Sequence, residues 1–386
     1  MHIVFLTHPT FLGSQSMPRF AKMLVDGMTQ AGHKVEVWAP QPKVYDLPLP
    51  SSLKKWAGYI DQYIIFPAWM KKTIKNYDAD TLFVFTDHAL GPWVPLAANR
   101  PHVIHCHDFL AQRSAQGEIA ENPTSYTGKK YQSYIKQGYK AGKNFISVSR
   151  KTQEDLHRFL GFVPAVSEVV YNGLNTFFKP ANISEARAVI GNEIGVTLTN
   201  GYLLHVGGNQ WYKNRIGVIE IYDAWRKNSN NNLPLVMIGA PANGKLKECY
   251  NASPYSEDIY LLTGKDDSFV KQAYIGASVF LFPSLAEGFG WPIAEAMASG
   301  IPTITTSEGP MNEVGGDAAF YISRRPLTNS GAWAEDASSI LSDVISLNEA
   351  GRENAIDAGL EHVKQFDMKI AIRQIEGIYQ DVLGRG

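Results

Sequence analysis

The sequence predicts an α/β protein built from two doubly wound domains, each a parallel sheet with helices on both faces. Three observations carry that prediction. Short, almost uniformly apolar runs recur along the chain and alternate with longer amphipathic stretches, the pattern of strands buried on both faces between crossover helices. The alternation breaks once, in a polar stretch between about 172 and 200, and then restarts. The 386 residues are 45% hydrophobic and 19% charged, enough to bury two cores of ordinary size and too apolar for disorder.

The first forty residues form one strand–helix–strand unit. Residues 3–6 (Ile-Val-Phe-Leu) read as a buried strand, followed by a loop containing Gly13. A helix then starts with Ser16 as N-cap and Pro18 in its first turn. Phe20, Met23, Leu24 and Met28 make its apolar stripe, and Gly32 ends it. Residues 35–38 are the second strand. Further strands at 82–85, 103–106, 145–148 and 169–171 complete a first domain over 1–180. After the irregular stretch, strands at 202–206, 235–238, 259–262, 279–282 and 303–305 build a second domain over 181–365. Ile370, Ile372, Ile375, Ile378 and Tyr379 give a last helix, within 366–386, a stripe for packing. In open sheets of this kind ligands collect beyond the carboxyl ends of the strands, so the strand-to-helix loops are where chemistry is expected.

Composition excludes several function classes. A balance of 36 Lys and Arg against 37 Asp and Glu gives a net charge of −1 and no footing for general nucleic-acid binding. No apolar run is long enough to span a bilayer, and the N-terminus shows no basic leader. Cys106 and Cys249 lie far apart, so neither a disulfide framework nor a cysteine zinc site is expected. The expectation is a soluble cytoplasmic chain. Its charge is uneven: residues 1–180 carry 20 Lys/Arg against 13 Asp/Glu, and residues 181–386 carry 16 against 24. That asymmetry points the first half toward something anionic, a phosphorylated acceptor or a membrane face. Residues 54–75 mix Trp56, Tyr59, Tyr63 and Trp69 with five lysines and one acid, Asp61. This segment reads either as an interfacial helix for peripheral membrane contact or as an amphipathic helix facing the core with a solvated basic side.

The most informative segment runs Phe282-Pro283-Ser284-Leu285-Ala286-Glu287-Gly288-Phe289-Gly290-Trp291-Pro292-Ile293-Ala294-Glu295-Ala296-Met297-Ala298-Ser299-Gly300. A buried strand ends at Phe282, a glycine-rich turn follows, and Pro292 opens a short helix closed by Gly300. The unpaired N–H groups at such a helix start suit a phosphate. Glu287 and Glu295 flank the turn, and carboxylates beside an anion site make sense when they bind hydroxyls, such as those of a sugar or a ribose.

These residues resemble the retaining nucleotide-sugar glycosyltransferases of family 4. The two glutamates separated by seven residues match that family's signature, as do the flanking Pro-Ser-x-x-Glu-Gly-Phe-Gly and Glu-Ala-Met-Ala-Ser-Gly strings. The resemblance implies the GT-B architecture, in which two Rossmann-like domains face a cleft and the C-terminal helix crosses back to the N-domain. It implies that Glu287 holds hydroxyls of the transferred sugar, that Phe289 and Gly290 offer backbone amides to the distal phosphate with Gly288 also among the donor-binding residues, and that Glu295 holds the ribose. In the loop 205–214 the family carries Val-Gly-Arg followed by a lysine, both cations clamping the diphosphate. Lys213 falls on the lysine position, while Gly208 occupies the arginine position, leaving Arg215 or Asn209 as replacements.

His107, in His105-Cys106-His107-Asp108, matches a family histidine beside donor sugar and acceptor; packing and a metal are the other readings for this histidine-rich strand. Gly13 matches the glycine of the first strand-to-helix loop that approaches the phosphates. Gly264 and Lys265 would edge the nucleobase pocket. Resemblance implies transfer to a glycan, lipid-linked or other hydroxyl acceptor, with no cofactor, no metal and no nucleic acid partner. Two other classes share the architecture: sugar-nucleotide epimerases, and non-catalytic sugar-nucleotide-binding subunits. A dehydrogenase does not fit, because the first strand-to-helix turn lacks Gly-x-Gly-x-x-Gly.

Overall fold

The uniformly apolar runs fold as parallel strands covered on both faces. The computed structural model describes residues 1–12 and 16–385, and contacts divide the chain into two units. One comprises Met1–Tyr171 with the residues from Lys369 on; the other is Asn172–Met368. In the first unit β1 (His2–Leu6), β2 (Lys34–Trp38), β3 (Leu82–Phe85), β4 (His102–Cys106), β5 (Asn144–Ser147) and β6 (Val166–Val169) form, among the described residues, a six-stranded sheet in the order β2-β1-β3-β4-β5-β6. Every pairing is parallel. Helices α1 (Ser16–Gln30), α2 (Ser51–Ile60), α3 (Phe66–Thr73), α4 (Leu110–Ala115), α5 (Tyr126–Tyr139) and α6 (Arg150–Leu160) connect them. Phe83, Phe85, Trp93, Tyr139 and Phe145 fill the core.

The second unit repeats the plan. Helix α7 (Ile183–Ile194) precedes β7 (Leu203–Val206). Strands β8 (Leu235–Ile238), β9 (Ile259–Leu262), β10 (Val279–Phe282), β11 (Thr303–Thr306) and β12 (Phe320–Ile322) follow, in the order β12-β11-β10-β7-β8-β9. The helices here are α8 (Arg215–Asn228), α9 (Gly244–Ala252), α10 (Asp267–Gly276), α11 (Trp291–Ala298), α12 (Met311–Gly315), α13 (Ser330–Ile345) and α14 (Glu349–His362). From α15 (Met368–Gly384) the chain returns to the first unit. There Tyr379 is buried with its hydroxyl 2.7 Å from His105 Nε2, and Glu376 Oε1 lies 2.8 Å from His33 Nε2.

Both sheets reverse their direction of winding at one place. In the first unit β2 lies on one side of β1 and β3 on the other; in the second, β8 lies on one side of β7 and β10 on the other. The gap beyond the carboxyl ends of such strand pairs is where open α/β sheets bind ligands.

Three expectations are corrected. The sixth strand is Val166–Val169 rather than 169–171, since Asn144, Phe145, Ile146 and Ser147 pair with Val166, Ser167, Glu168 and Val169. The stretch expected to be irregular contains α7, capped by Asn182, whose side chain accepts from the amides of Ser184 and Glu185, and held by buried Ala186, Ile190 and Gly191. Strand β12 lay outside the expected set. The division between units falls at Tyr171 because the next residues pack with the second unit: the Leu174 amide donates to the Phe366 carbonyl at 2.6 Å, and Gly173 lies against the Met368 backbone.

One close approach sets the position of α5. A Cβ on Gly138 would run into the carbonyl group of Gly91, so two glycines let α5 lie directly on the 88–96 turn.

Candidate functional site

In the second unit the two loops that flank the reversal point are stitched together. After β7 the chain turns through Trp211–Lys213 and reaches Asn214, which adopts a left-handed conformation (φ 50°) and caps α8 by accepting from the Gly217 amide. The Asn214 amide group donates to the Pro283 carbonyl at 2.9 Å. The Leu285 amide and the Ser284 hydroxyl donate to the Tyr212 carbonyl at 2.7 and 2.8 Å. These bonds fix the loop after β7 against the turn after β10.

That stitching brings Lys213 and Glu287 together. Lys213 Nζ donates to Glu287 Oε1 at 2.8 Å, and Ser284 Oγ lies 2.7 Å from the same oxygen, its one proton shared between this carboxylate and the Tyr212 carbonyl. Only 15% of the Lys213 side chain and 8% of the Glu287 side chain is exposed, so the pair is shielded from bulk water. Gly290 follows at φ +102°, a conformation that side-chain-bearing residues rarely adopt, and it opens α11 with Pro292 in the first turn. The helix start and its positive dipole end therefore sit three residues from the carboxylate. Phe289 is buried, its ring 5.4 Å edge-on to Phe366. Glu295, one turn into α11, is buried and accepts from the Tyr274 hydroxyl at 3.3 Å.

Around this pair the electrostatics are uneven. Arg215 is buried at the start of α8, bonded through Nη1 to the Asn209 side chain at 2.6 Å and the Ala240 carbonyl at 2.7 Å. Its Nε and Nη2 groups have no partner among the described residues. A buried cation with unsatisfied donors suits an incoming anion. Gly208 carries no charge; the end of Gln210 lies against it, and Asn209, the next residue, holds Arg215. His205, on β7, is buried beneath; burial pushes its imidazole down to about 3 and keeps it neutral. Gly264 adopts a left-handed turn (φ +67°) after the edge strand β9, and Lys265 is paired with Glu193 of α7 at 2.6 Å.

In the first unit the sheet brings together residues the sequence left apart. His8, after β1, places Nε2 2.8 Å from Asp87 Oδ2, after β3, directly across the reversal point. His88 Nδ1 lies 3.0 Å from Asp87 Oδ1. Burial opposes ionisation of Asp87, but the hydrogen bond to His8 and the adjacent His88 imidazole outweigh it and hold the carboxyl well below its usual range. His107 lies buried beside this group, its Nε2 donating to the Thr86 carbonyl at 2.8 Å and its ring edge-on to Phe20. Burial lowers its affinity for a proton. The neighbouring histidines are packing groups: His102 Nε2 accepts from the Lys143 amide, and His105 meets Tyr379. Among the described residues no group of three or more His, Cys, Asp or Glu is arranged to hold a metal ion. Gly13 lies outside the described residues.

Sequence reading missed His8, Asp87, His88 and Tyr274, and gave no role to Ser284 and Asn214 inside the segments it singled out. Charged residues at the carboxyl ends of β1 and β3 were the available signal; the others act through geometry that no local pattern encodes.

Residues 190–357 match the family model described as "Glycosyl transferases group 1", and residues 17–177 match "Glycosyltransferase Family 4". The chain belongs to this glycosyltransferase family. An uncharacterised glycosyltransferase of Methanocaldococcus jannaschii is 24% identical over 76% of this chain and 77% of its own. The O-antigen chain mannosyltransferase B of Escherichia coli is 27% identical over 47% of this chain, and the match spans 46% of that enzyme's length. Anabaena HepE, solved in complex with UDP-glucose, superimposes with a TM-score of 0.70 over 99% of this chain and 100% of its own, at 16% identity. Sucrose-phosphate synthase from Thermosynechococcus elongatus gives a TM-score of 0.73 over the full length of both chains, also at 16% identity. At such identities the structural likeness establishes the fold, which is the GT-B fold of this glycosyltransferase family. Among the described residues no helix is long and apolar enough to cross a membrane.

Proposed function

We propose that this glycosyltransferase moves a sugar from a nucleoside-diphosphate sugar to a hydroxyl of a glycan or lipid-linked acceptor, with retention at the anomeric carbon and without a metal. The observation that carries the reading is the shielded Lys213–Glu287 pair at the reversal point of the second sheet, three residues ahead of the α11 start. The UDP and UDP-glucose complexes of HepE, a protein of the same fold, support a nucleotide-sugar donor.

The roles follow from charge and reach. An ammonium has three donors, so Lys213 keeps its bond to Glu287 and still reaches a phosphate oxygen. The amides of Gly288, Phe289 and Gly290, at the positive end of α11, take a second share of the negative charge that grows on the leaving diphosphate. Glu287, held by Lys213 and Ser284, keeps a fixed carboxylate for hydroxyls of the transferred sugar. Glu295, anchored by Tyr274, takes the ribose hydroxyls. Arg215, buried with unsatisfied donors beside Asn209, supplies the cation that Gly208 lacks. His107, neutral and oriented by the Thr86 carbonyl, contacts the sugar through its other ring nitrogen. In this reading the leaving charge falls on Lys213, Arg215 and backbone amides, so the chemistry proceeds in the presence of a chelator.

The test is turnover of a panel of nucleoside-diphosphate sugars with hydroxyl acceptors in EDTA, following release of the nucleoside diphosphate and assigning the product anomer by NMR. Transfer with retention, abolished in Glu287→Ala, is expected. Epimerised donor in the absence of acceptor, or donor binding with no turnover on any acceptor, overturns the assignment in favour of an epimerase or a binding subunit.

A further inference from the structure

The first unit carries a face that the site above does not use. Helices α2 and α3 are joined by a π-helical turn, Asp61–Ile65. This wide turn adds about one residue to the helical repeat, which keeps Phe66 and Met70 on the same buried side as Ala57, Gly58, Asp61 and Gln62. The consequence is an outward apolar stripe. Leu53, Trp56, Ile60 and Ile64 all face solvent, with Trp56 and Ile64 each 63% exposed. Apolar residues at helical spacing on the solvent side reverse the usual arrangement and make a contiguous patch of the kind that marks an interaction surface.

Helix α5 extends this face, although it lies more than sixty residues further along the chain. The Tyr63 and Tyr131 hydroxyls are 2.6 Å apart, Tyr59 stacks on Tyr131 at 5.9 Å, and Tyr63 meets Tyr134 at 5.9 Å. On α5 the exposed groups are Tyr126 (74%), Tyr134, Lys129 and Lys130. No acidic residue occurs between 122 and 143. Within 51–76 the sole acid, Asp61, is buried and accepts from the Val44 and Tyr45 amides. Lys55, Lys71, Lys72 and Lys75 are exposed beside the stripe. These two stretches thus join aliphatic and aromatic side chains to cations and carry no exposed acid of their own.

We propose that the α2–α3–α5 face docks this protein on an anionic lipid bilayer, with Trp56, Ile60 and Ile64 inserted at the interface and Lys55, Lys71, Lys129 and Lys130 over the headgroups. Exposed Trp and Tyr with flanking lysines fit the boundary between headgroup and acyl chain, where one end of the ring is apolar and the other wet. Charge complementarity selects a negative surface, each lysine near it contributing roughly fivefold to partitioning. A soluble polyanion would reward the lysines but leave Trp56, Ile60 and Ile64 without a partner.

The inference is independent of the transfer reaction and is read without donor or acceptor. The full chain is sedimented with vesicles of phosphatidylcholine alone or with about one third phosphatidylglycerol, while tryptophan emission is recorded. Binding to the anionic vesicles, weakened at least tenfold by added salt and accompanied by a blue shift, is expected, with little binding to phosphatidylcholine. The variant Trp56→Ser/Ile60→Ser/Ile64→Ser should lose the blue shift and most binding, and Lys129→Glu/Lys130→Glu should lose at least tenfold in affinity. Circular dichroism and an unchanged urea midpoint control for folding, since all five positions face solvent. No binding to anionic vesicles overturns the proposal. So do binding unchanged in both variants, equal retention on heparin with no blue shift, and a stable dimer that covers the face.

Discussion

Lys213 Nζ meets Glu287 Oε1 at 2.8 Å, tying the loop after β7 to the turn after β10 at the point where the second sheet reverses its winding. The pair is shielded, so each charge depends on the other and on Ser284. Removing the lysine strands the carboxylate and deletes a contact to the leaving phosphate. Lys213→Ala is therefore expected to lower kcat by about 10²–10³, measured as nucleoside-diphosphate release. Near wild-type turnover would remove Lys213 from the mechanism.

The same shielding makes a stability prediction. Breaking one side of a buried pair costs about 3–5 kcal/mol, whereas replacing both members costs much less. Lys213→Met and Glu287→Gln should each lower the urea midpoint, and the double variant should recover part of the loss. Additive effects in this double-mutant cycle would mean that the two groups do not depend on each other.

Gly208 offers room for a gain of function. A side chain built there first meets the flexible end of Gln210. If the loop faces the diphosphate, Gly208→Arg adds a cation and should tighten nucleoside-diphosphate binding several-fold by calorimetry, more so at low salt. Unchanged affinity at low salt would place Gly208 away from the phosphates.

Two buried histidines set an acid limit. Burial pushes His105 and His205 down to about 3, against about 6.5 in the unfolded chain. Between these values the unfolded state binds more protons, so stability is complete above about pH 6.5 and falls as pH drops, by roughly 1.4 kcal/mol per unit for each histidine. Urea midpoints at pH 7.5, 6 and 5 measure this slope, and His105→Gln should make it shallower. A slope that His105→Gln leaves unchanged would show that His105 is not among the groups that set it.

The contact between Gly138 and Gly91 predicts a severe effect far from the site. In Gly138→Ala the new methyl meets backbone, which cannot rotate away as a side chain can. A loss of about 1–3 kcal/mol is expected, seen as a lower Tm. An unchanged Tm would mean that α5 can shift outward without cost.

The sequence by itself determined the alternation of apolar runs and helices, because strands buried on both faces must be apolar throughout. It also determined the Glu287-to-Glu295 turn, since a glycine-rich turn opening a helix is local geometry written in consecutive residues. Edge strands were harder to read. Strand β6 interleaves Ser167 and Glu168 with its valines, and β12 is three residues long, so neither forms a clear apolar run. Tertiary structure alone decided that Lys213 reaches Glu287, that His8 meets Asp87, and that α5 continues the face of α2. Each of these contacts joins segments at least 68 residues apart, as the Tyr63–Tyr131 bond does, and strand order brings them together. It also decided which side of residues 51–73 faces water. A helical stripe of Leu53, Trp56, Ile60 and Ile64 reads in sequence like a core face, and only the burial of Ala57, Asp61, Phe66 and Met70 opposite shows that it points outward.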